Sequence, residues 1–105
     1  DNGSGTAGLL EIANAFVSLK IKPARTVVFL FVTAEEQGLL GSAYYAANPI
    51  YPPSKSVANI NMDAINGYGK MKDISLIGKG QSELEDYLSE ECQKVDRYTA
   101  GDPDP

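Results

Sequence analysis

An α/β fold, a sheet sandwiched between helices, is predicted for this chain on three observations. Residues 26–34 are almost continuously apolar and rich in β-branched and aromatic side chains, the composition of a strand covered on both faces. Apolar residues recur at helical spacing on either side of that run. The resulting order of helix, strand, helix, strand, strand, helix is the alternation that packs helices against a sheet and places sites at strand ends.

The first helix is expected over residues 6–20, where Leu9, Ile12, Ala13, Phe16 and Leu19 share one face. Asn2 or Ser4 supplies its N-cap, and it stops before Pro23. The run 26–34 is the best strand. Residues 39–47 read as a short helix that Asn48-Pro49 ends, because the residue before a proline is pushed out of the helical region. Tyr51-Pro52-Pro53-Ser54 is a loop. Residues 57–62 read as a second buried strand and 73–77 as a third, broken by Gly78-Lys79-Gly80. Ser82 and Glu85 have the spacing of a capping box for a last helix reaching Val95, with Leu84, Tyr87, Leu88, Cys92 and Val95 on its inner face.

A length of 105 residues suits one domain, and 43% hydrophobic with 22% charged residues is a globular composition rather than a disordered one. No apolar stretch approaches the length that spans a bilayer, so no membrane partner is expected. A net charge of −5, with nine scattered basic residues, argues against a nucleic-acid partner. Cys92 has no second cysteine to pair with and reads as a small core residue, which leaves the redox compartment open. The beginning at Asp1 and the turn-rich Gly101-Asp102-Pro103-Asp104-Pro105 read as those of an interior piece of something longer. The chain has no histidine, the usual companion of carboxylates in a catalytic zinc site.

Acids at the corners of elements carry the functional reading. Glu35 and Glu36 stand together where the run 26–34 ends, and Gln37-Gly38-Leu39-Leu40-Gly41-Ser42 follows at once. Successive side chains of a strand point to opposite faces, so neighbouring acids serve one site only where the strand has ended and the chain is turning. One carboxylate can then hold a metal ion while the other handles a proton. Asp1 stands before a helix N-terminus, and Asp63 directly follows the strand expected at 57–62. A helix entry and two strand ends can converge on one cleft, and like charges that close need a cation between them. The same residues also have plain structural uses: helix capping for Asp1, an Asx-turn for Asp63, and macrodipole complementation for the Glu pair.

Together, Asp1-Asn2-Gly3-Ser4-Gly5, Ala34-Glu35-Glu36-Gln37-Gly38-Leu39-Leu40-Gly41-Ser42 and Asn61-Met62-Asp63 resemble, in order and spacing, the successive metal and catalytic motifs of the M28 family of zinc peptidases. The resemblance extends over essentially the whole chain. It implies a three-layer helix/sheet/helix zinc-exopeptidase (phosphorylase/hydrolase-like) fold with a mostly parallel mixed sheet. It also implies two Zn2+ ions, bridged by Asp1, with Glu36 a ligand of one and Asp63 a ligand of the other. Glu35 matches the general base, and the Asp1–Asn2 peptide bond matches one that is commonly cis in the family. The activity implied is exopeptidase, most simply aminopeptidase, acting on peptide substrates in a secreted or periplasmic location. The family's two histidine ligands have no counterpart here, which implies that residues 1–105 are part of a catalytic domain whose flanking segments carry them. Such a piece is expected to be inactive alone, to bind zinc weakly, and to self-associate through unpaired edges and exposed apolar surface.

Two other readings compete. Gly3-Ser4-Gly5-Thr6-Ala7-Gly8 is literally a G-x-G-x-x-G string with an acid after the next strand, as in nicotinamide dinucleotide-binding domains. That fingerprint should follow a hydrophobic strand, and its acid should come about 20 residues on, earlier than here. A non-catalytic M28-like binding module is the other; buried acids argue against it, because burying them costs desolvation energy. Gly78-Lys79-Gly80 before a helix reads as a turn or as an anion site. Tyr44-Tyr45 and the loop 50–53 read as ordinary packing or as the edge of a substrate pocket.

Overall fold

The computed structural model describes residues 2–101, which divide into two compact units, one ending at Ile65 and the other beginning at Asn66. The first unit holds α1 (Gly3–Ser18), α2 (Leu40–Ala47) and a 3-10 turn at Pro53–Lys55. The second holds β1 (Asp73–Leu76), α3 (Leu84–Lys94) and β2 (Tyr98–Gly101).

Asn2 caps α1: its Oδ1 accepts the Gly5 N–H at 2.8 Å, satisfying one of the amides that a helix start leaves without a partner. The helix thus begins at Gly3, earlier than apolar spacing alone predicts. At its far end the Lys22 ammonium donates to the Val17 carbonyl at 2.6 Å and to the Phe16 carbonyl at 3.3 Å, a cation on the orphan acceptors of the last turn. α2 ends at Asn48, as the Asn48-Pro49 signal predicts. Gly41 in its first turn is pressed against the chain before it: an added Cβ would lie 2.5 Å from the Thr33 carbonyl oxygen and 2.6 Å from the Thr33 nitrogen. Only glycine fits.

The two strands expected at 26–34 and 57–62 are not found. Among the described residues, neither stretch is paired into a ladder. The first backbone bonds near the end of the long run are from Gly41 N–H to the Thr33 carbonyl and from Leu40 N–H to the Ala34 carbonyl, both from the start of α2. Composition describes what a strand would bury, whereas a strand exists only when a neighbour accepts its lateral hydrogen bonds. Val27, Val28, Leu30, Phe31 and Val32, which would alternate between faces, are all between 41% and 50% exposed. The run is apolar on both sides and only about half covered on either. Phe29 does reach the first helix, meeting Phe16 edge-on.

The second unit is a β-α-β arrangement in which β1 and β2 pair in parallel, Asp73 opposite Tyr98 through Leu76 opposite Gly101. Parallel neighbours need a crossover, and α3 provides it. Cys92 of α3 is 2% exposed and is the core residue that the helical spacing predicts. The strand β2 is missing from the sequence reading. Only Tyr98 and Thr99 in it favour extended backbone, and four residues are too few to show a pattern. The chain enters β2 through Asp96, whose φ of 56° turns it out of the helix.

The capping box at Ser82 is only half formed. Glu85 Oε1 accepts from the N–H groups of Gly80 at 2.6 Å, Gln81 at 2.9 Å and Ser82 at 3.4 Å, while the helix itself starts after Glu83 without a side-chain cap. The amides that follow Gly78-Lys79-Gly80 are therefore occupied by the chain's own carboxylate, which answers the question of an anion site there. These bonds, Gln81's foremost, hold the Glu85 pKa below its ordinary value; partial desolvation opposes them and Lys79 assists. A mixed α/β fold with a small parallel sheet is thus what the described residues form.

Candidate active site

The Glu35-Glu36 pair lies in a tight turn. Ala34 just before it has a φ of 56°, and the N–H groups of Gly38 and Leu39 both donate to the Glu35 carbonyl, at 3.0 and 2.9 Å. Leu39 is also left-handed, at 60°, and α2 follows. The chain has stopped running straight where the acids stand, so the alternation of a strand does not apply to them. A left-handed non-glycine residue costs of order 1 kcal/mol or more, and such residues gather at functional turns.

Asp63 has the mirror of this setting. Ala64 directly after it has a φ of 45°. The residue before it, Met62, offers its carbonyl oxygen to the side chain of Asn2, whose Nδ2 donates at 2.9 Å. Asn2 follows Asp1 in the chain, so this one amide ties the neighbour of Asp1 to the neighbour of Asp63. Gly5 makes the contact possible: an added Cβ would lie 2.4 Å from Asn2 Nδ2 and 2.7 Å from the Met62 oxygen. The close backbone approach that a glycine-rich fingerprint would devote to a pyrophosphate is used here within the chain, and Gly3-Ser4-Gly5-Thr6-Ala7-Gly8 lies wholly inside α1.

The plain structural uses of Glu35, Glu36 and Asp63 find no supporting contact among the described residues. α2 has no acid in its first turn and no side-chain cap, so the Glu pair does not cap it. The Asx-turn lies at Asn66, whose Oδ1 accepts from Tyr68 N–H at 2.8 Å, and not at Asp63. Among the described residues, the carboxylates of Glu35, Glu36 and Asp63 enter no salt bridge, and all three residues are exposed. Their exposure removes, for these three, the desolvation argument against a binding module.

Asp1, and with it the Asp1–Asn2 bond, lies outside the described residues. Among the described residues no three histidine, cysteine or acidic side chains gather closely enough to hold an ion, so Glu35, Glu36 and Asp63 alone do not build a metal site. The donors the chain offers near this turn are carboxylate oxygens, which suit one part of a zinc ligand set; the buried Cys92 belongs to the other unit. Sequence reasoning missed the left-handed alanines, which carry no signal in residue type, and the Asn2–Met62 bond, of which only the cap half was visible. Tyr44 is 70% exposed, so the packing expected of it is not found. No described helix is long and apolar enough to cross a membrane.

Comparison with known proteins covers the whole chain. Residues 1–105 match the description of peptidase family M28. Over 66 residues, 62% of this chain, it is 41% identical to leupeptin-inactivating enzyme 1 of Streptomyces exfoliatus. Over 72 residues, 64% of the chain, it is 43% identical to a glutamate carboxypeptidase 2 homolog of Caenorhabditis elegans. Over 45 residues, 43% of the chain, it is 51% identical to leucine aminopeptidase 2 of Arthroderma otae. The matched stretches span 15%, 9% and 9% of those proteins, so the chain corresponds to a small part of each. No solved structure matches it.

Proposed function

The chain belongs to peptidase family M28, and from that premise we propose that it supplies the carboxylate part of a dinuclear zinc exopeptidase site, of aminopeptidase type, within a larger three-layer catalytic domain. The observation that carries this reading is the set of acids on two strained turns, exposed and without a structural partner, in the stretch that matches the family. The likeness to leucine aminopeptidase 2 favours removal of N-terminal residues from peptides.

Glu36 would hold one zinc, Asp63 the other, and Asp1 would serve both. Bound zinc supplies Lewis acidity, which polarises a peptide carbonyl and lowers the pKa of water towards neutrality. Glu35, not a ligand, accepts the proton of the attacking water and returns it to the leaving amine. The nitrogen ligands come from segments outside residues 1–105, so the chain alone is inactive. Secretion or export to the periplasm completes the proposal.

Glu35→Gln in the full-length protein tests it, because the amide keeps the shape of the side chain and loses the base. Turnover falls by at least about a hundredfold, the scale of general base catalysis, with zinc content unchanged. Full turnover in the variant would refute the role of Glu35.

A further inference from the structure

Two asparagines stand directly before a glycine, Asn2 before Gly3 and Asn66 before Gly67. Such a pair is prone to rearrangement, because no Cβ hinders the glycine nitrogen from reaching the side-chain carbonyl carbon that precedes it. The sequence makes the two pairs alike, and the fold does not. Asn2 is half-buried and held from several sides. Its Oδ1 takes the Gly5 N–H at 2.8 Å and the Ser4 hydroxyl at 3.3 Å, and its Nδ2 gives a hydrogen to the Met62 carbonyl at 2.9 Å. Its main-chain carbonyl accepts the Thr6 N–H at 3.1 Å, and Gly3 is already the first residue of α1. Turning the Asn2 side chain onto the Gly3 nitrogen would uncap the helix and break the tie to Met62.

Asn66 is exposed, stands outside any helix or strand, and makes only local side-chain bonds. Its Oδ1 accepts from Tyr68 N–H at 2.8 Å, and its Nδ2 donates to the Gly69 carbonyl at 2.7 Å. The first bond closes a small ring of atoms that contains both the Asn66 Cγ and the Gly67 nitrogen, so one tight turn holds the two atoms that would react. We infer that Asn66 is a site of spontaneous modification, deamidation through a cyclic imide, from which its place in the fold protects Asn2. The Gly67 nitrogen bonds to Asn66 Cγ, the Cγ–Nδ2 bond breaks, and ammonia leaves with the proton that the Gly67 nitrogen gave up. Water then opens the imide at either carbonyl, giving aspartate or isoaspartate. Both products gain a negative charge and lose the donor that the Gly69 carbonyl accepts from. Isoaspartate also lengthens the main chain by a methylene. No metal, cofactor or partner takes part.

Ageing the full-length protein at mildly alkaline pH, native and in urea, tests this. The peptides holding Asn2 and Asn66 are followed by the mass gained when an amide becomes an acid and by enzymatic methylation of isoaspartate. In the native protein Asn66 converts about tenfold faster than Asn2, the factor that giving up a helix cap of ordinary strength imposes. In urea, where neither cap nor turn survives, the two rates converge. Gly67→Ala slows conversion at Asn66 several-fold, because a methyl beside the attacking nitrogen narrows its approach. That methyl enters open space, with nothing within 4 Å, so the variant disturbs no packing. Equal native rates at the two asparagines would overturn the assignment. So would an Asn66 that stays an amide in the native protein while both sites convert in urea.

Discussion

Phe16 and Phe29 meet edge to face, their ring centroids 6.0 Å apart and their planes at 70°. This is the geometry in which the positive rim of one ring faces the negative face of the other. It fastens the apolar run that leads to the Glu pair onto α1. Phe29→Leu keeps an apolar side chain and loses the aromatic contact. It should lower stability by about 0.5–1.5 kcal/mol, read as the shift in the urea transition of the helical signal. No shift would mean that the rings are merely near each other.

The Glu85 clasp should make the start of α3 sensitive to acid. The folded pKa lies below the ordinary value, so the carboxylate's contribution to stability is present above the ordinary glutamate range and is lost as pH falls through the folded value. The amide resonances of Gly80 and Gln81 should move together over that acid window. In Glu85→Gln, which cannot ionise, the titration should vanish. An unchanged acid transition in the variant would assign it to another group.

Gly41 offers a sharper test of the turn that carries Glu35 and Glu36. Alanine there must displace either α2 or the backbone at Thr33, because the crowding atoms are main-chain atoms. Gly41→Ala should cost about 1–3 kcal/mol, the range for overpacking, and should lower turnover of the full-length protein. Gly67→Ala, where nothing lies within 4 Å, should change stability by less than about 0.5 kcal/mol. Equal effects at the two positions would dismiss the close packing of α2.

Residues 1–105 on their own should bind zinc poorly. Carboxylates without imidazole or thiolate are a weak set for this ion. Titration calorimetry should show no submicromolar site; one that tight would mean that the chain completes a centre by itself. The same material should self-associate with rising concentration in sedimentation, because Ile21 is 87% and Ile60 76% exposed, and the apolar run 26–32 is half exposed as well.

The helices were legible because their signals are local. Asn2 before a glycine-rich start, Asn48 before Pro49, and Leu88 with Cys92 on one face each act within a turn or two of chain. The strands were legible only in part. Asp73–Leu76 has a partner and is a strand, whereas residues 26–34, with far stronger composition, have none among the described residues. Pairing is a property of two segments and cannot be read from one. Of the candidate site, the acids and their motif spacing were visible, and the family followed from them. The left-handed backbone of Ala34 and Ala64 was not, since alanine advertises no such preference.

The parallel register of β1 and β2 bears on how the second unit assembles. Asp73 finds Tyr98 only after all of α3 has been threaded between them, so no hairpin can start the sheet and zip it closed. Such a non-local pairing is slower to form than a hairpin, and the Cys92 side chain of α3 is buried in this unit. A larger or polar group at that sulfur should therefore destabilise this part of the molecule, as overpacking or an unpaired buried polar group does.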